Sequence, residues 1–258
     1  CNPSKKEIWK EQEYVRAFTN SLTLALSTSL IQTFICSFIA YGFAKFKFKG
    51  NGILFGIVIL TMVVPHQTLQ FSLFMRFRYF DFLGALNIFN LIPAPTANMT
   101  NTMWPLALMS LTGLGFKNGL YIFMIRQFFM GFPFELEEAA YVDGCGPFKT
   151  FFRIMVPGAK PIITSCFLFS FVWQWTDSFY SSLFLGRLKL LSINISSLVE
   201  KFGIYLSVLN GGTAIAPQGY SNAILSTGIL LVVLPLILLY LFCQKLFVES
   251  LASTGVKM

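Results

Sequence analysis

Residues 223–246, AILSTGILLVVLPLILLYLFCQKL, form an apolar run whose one charged residue, Lys245, lies near its end. A hydrocarbon core about 30 Å thick is crossed by roughly 20 helical residues. A stretch this long and this apolar is therefore predicted to cross a membrane as a helix. Its basic end is typical of a span that finishes at the cytoplasmic surface.

The composition of the whole chain indicates a membrane protein. Of the 258 residues, 55% are apolar and 12% are charged, whereas soluble domains carry about 25% charged residues. A single soluble core of this size could not hide the 30 Phe residues. Lipid admits only helices and closed barrels, and the runs here are longer and more continuous than barrel strands. We therefore expect an all-α polytopic transmembrane bundle, with a barrel as the poor second choice.

Five apolar runs are predicted to be spans of a single transmembrane domain that covers residues 1–258. The predicted spans are residues 18–44, 53–75, 104–131, 161–185 and 223–246. The third run is interrupted by Lys117, which lies among glycines. It is therefore either one broken helix or two short runs.

The basic residues orient these spans. Lys45, Lys47 and Lys49 follow the first run, and a second basic cluster lies within 132–160. The positive-inside rule assigns both clusters to the cytoplasm. Because an even number of crossings must separate them, the third run is predicted to cross once. Residues 186–222 and the polar N-terminus are then external.

The polar loop at 132–160 is predicted to fold as a helix–turn–helix. Pro133 suits the first turn of a helix, and the glutamates that follow are favoured there by the helix dipole. Gly144 lies where a helix would end in a left-handed residue. Pro147 can then begin a second short helix that closes at Pro157, with Phe residues anchoring it.

The spacing within this loop resembles the EAA coupling loop of ABC-importer permeases. Glu138-Ala-Ala is followed after three residues by Gly144, and after nine more by Ile154 and the Pro of Ile154-Met-Val-Pro157. The alternative is an amphipathic loop resting on the membrane surface. The resemblance implies that an ATPase subunit contacts this loop. The residues implied for that contact are Glu138, Ala139, Ala140, Asp143, Gly144, Ile154 and Pro157.

Other stretches are similar to the sugar-permease branch of the same importers, the maltose-transporter type. They are Phe18–Leu22, Tyr41–Gly50, Met62–Pro65, Arg126–Phe129, Trp175–Asp177 and Phe247–Lys257. The resemblance implies a type I ABC-importer permease bundle. That family normally has six spans, so the first span is expected to be missing here. Residues 93–113 are longer and richer in Asn, Thr and Pro than the family's usual connection.

The resemblance also implies partners and a location. We expect a heterodimer with a second permease, two ATP-binding subunits, an extracytoplasmic solute-binding protein and a sugar or oligosaccharide as substrate. The location implied is the bacterial cytoplasmic membrane, crossed several times, with no nucleic acid involved. No GxxxxGK[ST] stretch occurs in the chain. ATP hydrolysis is therefore expected on the partner subunits, and the chain itself is expected to be neither an enzyme nor the holder of a cofactor.

Polar and aromatic residues within the spans are candidates for the solute path, because polar groups in lipid usually face the bundle interior. The candidates are His66, Gln67, Gln70, Gln174, Trp173, Trp175 and Tyr180. Aromatic rings could stack on sugar rings and amides could bond hydroxyls. The other interpretation is an interfacial aromatic belt or plain helix packing. Asp177 is expected to be structural, capping or pairing near the outer end of its span.

Three alternatives remain from the residues alone. The first is a permease of the same architecture for another small solute, such as a polyol or a glycerol phosphoester. The second is an ion-coupled secondary carrier, which is disfavoured because few intramembrane acids accompany His66. The third is a membrane enzyme, for which the five scattered cysteines and the lone His offer no metal or catalytic cluster. The external loops 76–103 and 186–222 either dock a binding protein or simply link spans.

Overall fold

The structure is a computed structural model that describes residues 14–81, 97–115, 117–196, 200, 203–204 and 218–255. For residues 66, 218, 220 and 246–255 only the backbone is described. Within these ranges the chain is helical, and its one β-bridge joins Phe80 to Ala97. The expected all-α fold is confirmed.

Twelve α-helices are named here in chain order across the described residues. They are α1 Tyr14–Lys45, α2 Asn51–Val63, α3 Gln70–Arg78, α4 Trp104–Leu111, α5 Asn118–Met130, α6 Phe134–Val142, α7 Pro147–Thr150, α8 Val156–Gly158, α9 Lys160–Thr176, α10 Phe179–Leu185, α11 Leu191–Ser196 and α12 Gln218–Gly255. A 3₁₀ turn, His66–Leu69, precedes α3, and a π-helical turn, Phe151–Met155, joins α7 to α8.

Helix α1 is the centre of the bundle and packs against α5 and α9. Its buried face carries small side chains at helical spacing, among them Ala17, Ser21, Ala25 and Ala40. In lipid, where no hydrophobic force drives helices together, small residues allow their backbones to approach closely. The main core cluster then joins Cys36 and Tyr41 of α1 to Phe129 of α5 and Cys166 of α9.

Two described helices, α1 and residues 221–245 of α12, are long and apolar enough to cross a membrane unaided. Two bent pairs raise the number to four if each pair is one span. The predicted runs 18–44 and 223–246 therefore correspond to continuous helices. The five-span count itself stays a prediction.

The predicted run 53–75 is bent sharply at Pro65. Helix α2 ends at Val63, Val64 and Pro65 are extended, and the helix that follows is turned by 92°. Proline lacks the backbone donor and restricts the residue before it to extended conformations, which ends the helix here.

The predicted run 104–131 is two helices, α4 and α5, and not one continuous helix. Gly113 and Lys117 both adopt left-handed conformations, with φ of 74° and 63°. Such conformations interrupt the helical hydrogen-bond ladder, and Gly accepts them far more readily than Lys. The break expected around Lys117 is therefore present, within one predicted crossing.

The predicted run 161–185 is also divided. Helix α9 meets the preceding loop helix at a bend of 80°, and it ends at Thr176 before α10 begins at Phe179. About half of the two predicted external loops, 76–103 and 186–222, lies outside the described residues. Their role stays a prediction.

Candidate functional site

The first half of the loop 132–160 is the helix that the sequence predicts. Pro133 precedes α6 in an extended conformation, and Glu135 and Glu137 lie in the first turn. Gly144 follows the helix with φ of 73°. Its N–H donates to the carbonyl of Tyr141 at 3.0 Å, and the N–H of Cys145 donates to that of Ala140 at 2.8 Å. These two bonds form a Schellman motif, so the predicted left-handed cap is confirmed.

The second half of the loop begins at Pro147, as expected, and is not uniformly α-helical. Helix α7 passes into the π-helical turn Phe151–Met155 and then into α8. Pro157 does not end this segment, because it lies inside α8, where the first turn needs no proline N–H. The chain instead turns by 80° just after Gly158. The expected closure at Pro157 is thus wrong by one residue.

Aromatic side chains anchor this second half to α1, as predicted. Phe148 stacks on Phe38 with ring centroids 5.9 Å apart, and Phe152 stacks on Phe34 at 6.2 Å. Phe151 is fully buried and lies 5.1 Å from the ring of Tyr41. Aromatic pairs at these separations stabilise beyond the area that they bury. The loop is therefore held against the first helix by stacked rings along one side.

The residues implied for ATPase contact are mostly on the outer surface of the loop. Those exposed are Glu138, Ala139, Asp143, Gly144 and Pro157, and Ile154 is half-buried. Ala140 is only 3% exposed. Ala140 lies toward the protein on the same side of α6 as Glu137, so it does not share the exposed surface of Ala139. Glu138 and Ala139 thus form the accessible part of the motif.

Glu137 and Lys45 form an ion pair that the sequence did not reveal. The two side chains are 2% and 9% exposed, and Lys45 Nζ lies 3.4 Å from Glu137 Oε1. Lys45 Nζ also donates to the carbonyl oxygen of Phe132 at 3.3 Å. Glu137 and Ala140 are three residues apart, which is the spacing of one helix face. No signal in the sequence marked Glu137 as buried, because glutamates also occupy positions 135 and 138 of the same helix.

Two aromatic candidates for the solute path are buried and stack on other rings. Trp175 is 1% exposed, stacks on Phe171 and donates its indole N–H to the carbonyl of Val232 at 3.1 Å. Tyr180 is also buried and stacks on Phe184. Trp175 therefore packs between helices in this structure, as the helix-packing interpretation has it. Tyr180 lines the cavity described below, and its expected contact with solute stays a prediction.

The remaining path candidates are scattered. Trp173 is 44% exposed, and Lys117 Nζ lies 5.1 Å from its ring centroid, a cation–π geometry. Gln67 and Gln70 are exposed at the 92° bend, where only the backbone of His66 is described. Gln174 is half-buried, and its Nε2 is buried without a hydrogen-bond partner.

Asp177 has the structural role expected of it. Its carboxylate accepts hydrogen bonds from the N–H of Tyr180 at 3.2 Å and from the N–H and Oγ of Ser181 at 2.8 and 2.9 Å. A carboxylate at the start of a helix satisfies donors that have no partner within the helix. Asp177 therefore fixes the start of α10.

A cavity of about 810 Å³ lies between the bent α2–α3 pair and the broken α4–α5 pair. Its walls are mainly apolar, with Arg76 and Lys117 as the cationic residues and Thr61 and Thr112 as hydroxyl residues. Of the predicted path residues whose side chains are described, only Tyr180 lines it. The sequence analysis missed this cavity because two helix breaks, at Pro65 and at 112–117, create it together.

Among the residues that the structure describes, no three His, Cys, Asp or Glu side chains are grouped as metal ligands would be.

The site and the fold together are an exposed helix–turn–helix held against a helical membrane bundle. This combination is that of a transport permease. Residues 32–253 match the family described as the binding-protein-dependent transport system inner membrane component. The chain belongs to this family, and the expected ABC-permease class and multi-pass location in the cytoplasmic membrane are confirmed.

Two curated relatives resemble most of the chain. The arabinooligosaccharides transport system permease protein AraQ of Bacillus subtilis is 28% identical over 246 residues, 95% of this chain and 74% of that protein. The osmoprotective compounds uptake permease protein GgtD of Synechocystis is 30% identical over 241 residues, 93% of this chain and 70% of that protein.

A solved structure has the same fold. The crystal structure of a bacterial ABC transporter involved in the import of the acidic polysaccharide alginate contains a chain that matches with a TM-score of 0.63. The match covers 91% of this chain and 74% of that chain at 19% identity. It supports the type I permease bundle that the sequence predicts.

Proposed function

We propose that this chain forms half of the translocation path of an ABC importer for a sugar or oligosaccharide. The loop 132–160 would couple it to a separate ATP-hydrolysing subunit. The observation that carries the proposal is the division of α6 into two faces. One face, with Glu137 and Ala140, is held against the bundle, and the other, with Glu138 and Ala139, is exposed. A helix that packs against the bundle on one side and is exposed on the other can be displaced by a partner subunit and can pass that displacement to the bundle.

The substrate class rests on the relatives. The name of AraQ refers to arabinooligosaccharides, which favours a sugar or short oligosaccharide as the substrate of this chain. GgtD is named for osmoprotective compounds, and this supports a small osmoprotective solute as the second candidate. The apolar cavity beside Arg76 and Lys117 has room for several sugar-sized groups, at about 810 Å³.

The proposed assembly contains a second permease, two ATPase subunits and an extracytoplasmic solute-binding protein. Helix α2 has no buried residue. Helix α12 exposes large apolar side chains such as Leu230, Leu234 and Phe242. Such surfaces are suited either to lipid or to the helices of a second permease. A heterodimer would cover part of this surface and complete the path.

The coupling proposal is tested on the transporter purified through a tag on this chain. Glu138→Lys is compared with Glu135→Lys, a charge reversal on an exposed residue of the same helix. We expect an ATPase subunit and a second permease to co-purify with the wild-type chain. Glu138→Lys should either lose the co-purifying ATPase subunit or lose the stimulation of ATP hydrolysis. Glu135→Lys should retain most of the ATPase subunit and most of that stimulation. A chain that purifies alone and moves solute in liposomes would overturn the proposal and favour a secondary carrier.

The substrate is tested separately in cells that lack the transporter gene. Uptake of labelled arabino-oligosaccharides is compared with uptake of a small osmoprotective polyol, with and without the complete transporter. Uptake of the oligosaccharide alone supports the first candidate. Uptake of the polyol alone supports the second candidate. If neither compound is taken up, both solute classes are excluded as substrates, and the result of the coupling test is unaffected.

A further inference from the structure

Lys45 and Glu137 join two helix ends that are far apart in the chain. Lys45 is the last residue of α1, and Glu137 lies in the first turn of α6. The carbonyl end of a helix favours a cation and the amino end favours an anion. Each member of the pair therefore lies where its own helix stabilises its charge. Their approach to 3.4 Å brings these two helix ends together.

Burial makes this pair different from the neighbouring charges. Glu135 and Glu138 on α6 are exposed, as are Lys47 and Lys49 after α1. An exposed ion pair contributes little, because water and salt screen it. A buried pair behaves differently: removal of one partner leaves the other charge without compensation inside the protein. The positions of Lys45 and Glu137 are thus strongly dependent on each other.

The pair holds a part of the loop that the stacked rings do not. The aromatic contacts with α1 come from Phe148, Phe151 and Phe152, all in the second half of the loop. In the first half, Lys45 contacts both Glu137 and the carbonyl oxygen of Phe132 just before α6. Loss of the pair would loosen α6 while the stacked rings keep the loop attached.

We propose that Lys45 and Glu137 act as a latch that sets the position of α6 on α1 and passes its displacement to the bundle. The inference rests on the proposed coupling function. An ATPase subunit on the exposed face of α6 would move the helix, and the latch would oblige the end of α1 to follow. Both residues are positioning residues, since neither touches the ATPase subunit or the solute. Glu138 contacts the ATPase subunit, and Glu137 passes the displacement of α6 to the end of α1.

The test uses the complete purified transporter in liposomes with its binding protein. The variants are Lys45→Gln, Glu137→Gln and the double variant, with Lys47→Gln and Glu135→Gln as exposed controls. The readouts are the amount of ATPase subunit that co-purifies, the stimulation of ATP hydrolysis by loaded binding protein, and solute transported per ATP. The last readout separates transmission from mere assembly.

We expect each single latch variant to retain the ATPase subunit and to lose at least about five-fold in solute transported per ATP. The double variant should be no worse than either single variant, because the two residues act as one unit. The controls should stay within about two-fold of wild type.

Three outcomes would overturn the latch: singles that behave as the controls do, defects that add in the double variant, or loss of the ATPase subunit equal to the loss of transport. Where a Gln variant yields no folded chain at all, the variant Lys45→Arg is used as the test instead. It keeps the charge and should restore transport per ATP, and a defect there as deep as in Lys45→Gln contradicts the proposal. A wild-type complex without any ATPase subunit would instead overturn the proposed function itself.

Discussion

Gly119 of α5 lies directly against the backbone of α2 at Val58. A β-carbon on Gly119 would stand 2.9 Å from the Val58 carbonyl oxygen and 2.7 Å from Thr61 Oγ1. Real β-carbons are not found so close to backbone atoms. The absence of a side chain therefore allows these two helices to touch, which is the role of small residues in membrane helix packing. This contact joins one wall of the cavity to the other.

Gly119→Ala should separate α5 from α2 and destabilise the protein by about 1–3 kcal/mol, the usual effect of overpacking. Gly56→Ala is the matched control, because its β-carbon would meet no atom within 4 Å. Since Ala favours helix over Gly by about 1 kcal/mol, the control should be neutral or stabilising. Thermal denaturation of the detergent-purified protein measures both, and equal melting temperatures would contradict the contact.

Gly144→Ala should weaken the cap of α6 by about 1 kcal/mol, because Gly144 has φ of 73°. Gly146→Ala is the control. Neither glycine has an atom within 4 Å of an added β-carbon, and Gly146 has an ordinary φ of −75°. In the melting temperature of the detergent-purified chain, the difference between the two variants therefore isolates backbone conformation. We expect a lower melting temperature for Gly144→Ala alone, and equal melting temperatures in both variants would refute the role of the left-handed cap.

Trp175→Phe should loosen the attachment of α12 to the bundle. The change removes the indole N–H that bonds the Val232 carbonyl at 3.1 Å, and it leaves a smaller ring in a buried position. We expect a loss of roughly 1–2 kcal/mol. Trp173→Phe, on the same helix and partly exposed, should change stability little. Protease cleavage rates of the two variants, measured at the C-terminal helix, would distinguish them.

Asp177→Ala should destabilise the start of α10 by about 0.5–2 kcal/mol, since two backbone N–H groups and the Ser181 hydroxyl lose their acceptor. Asp177→Asn keeps one acceptor oxygen and should recover most of this loss. Melting temperature is the measurement, with solute uptake recorded alongside. If uptake falls steeply in Asp177→Asn while stability is retained, then Asp177 has a role in the path beyond the cap.

The continuous helices and the loop were predictable because their signals are local. The run at 223–246 is long and apolar enough to be recognised alone, and the cap at Gly144 follows from one residue and its neighbours. The bend at Pro65 is equally local.

The solute path was less predictable because α9 is apolar on nearly all sides. Trp173 and Trp175 are two residues apart and look alike in sequence, yet one is exposed and the other is buried. Periodicity cannot choose a face when most faces are apolar. The Lys45–Glu137 pair and the Gly119–Val58 contact join distant parts of the chain, so only the tertiary arrangement reveals them.

Because of the π-helical turn at Phe151–Met155, the effect of a one-residue deletion in the loop depends on where the deletion falls. A π turn takes up one residue more than an α turn, so it absorbs an extra residue without shifting the helix on either side. Deletion of one residue there should restore a regular α-helix, whereas deletion in α7 or α8 should rotate the following segment by about 100°. A variant of this chain with one residue fewer within Phe151–Met155 would then carry an ordinary helix here.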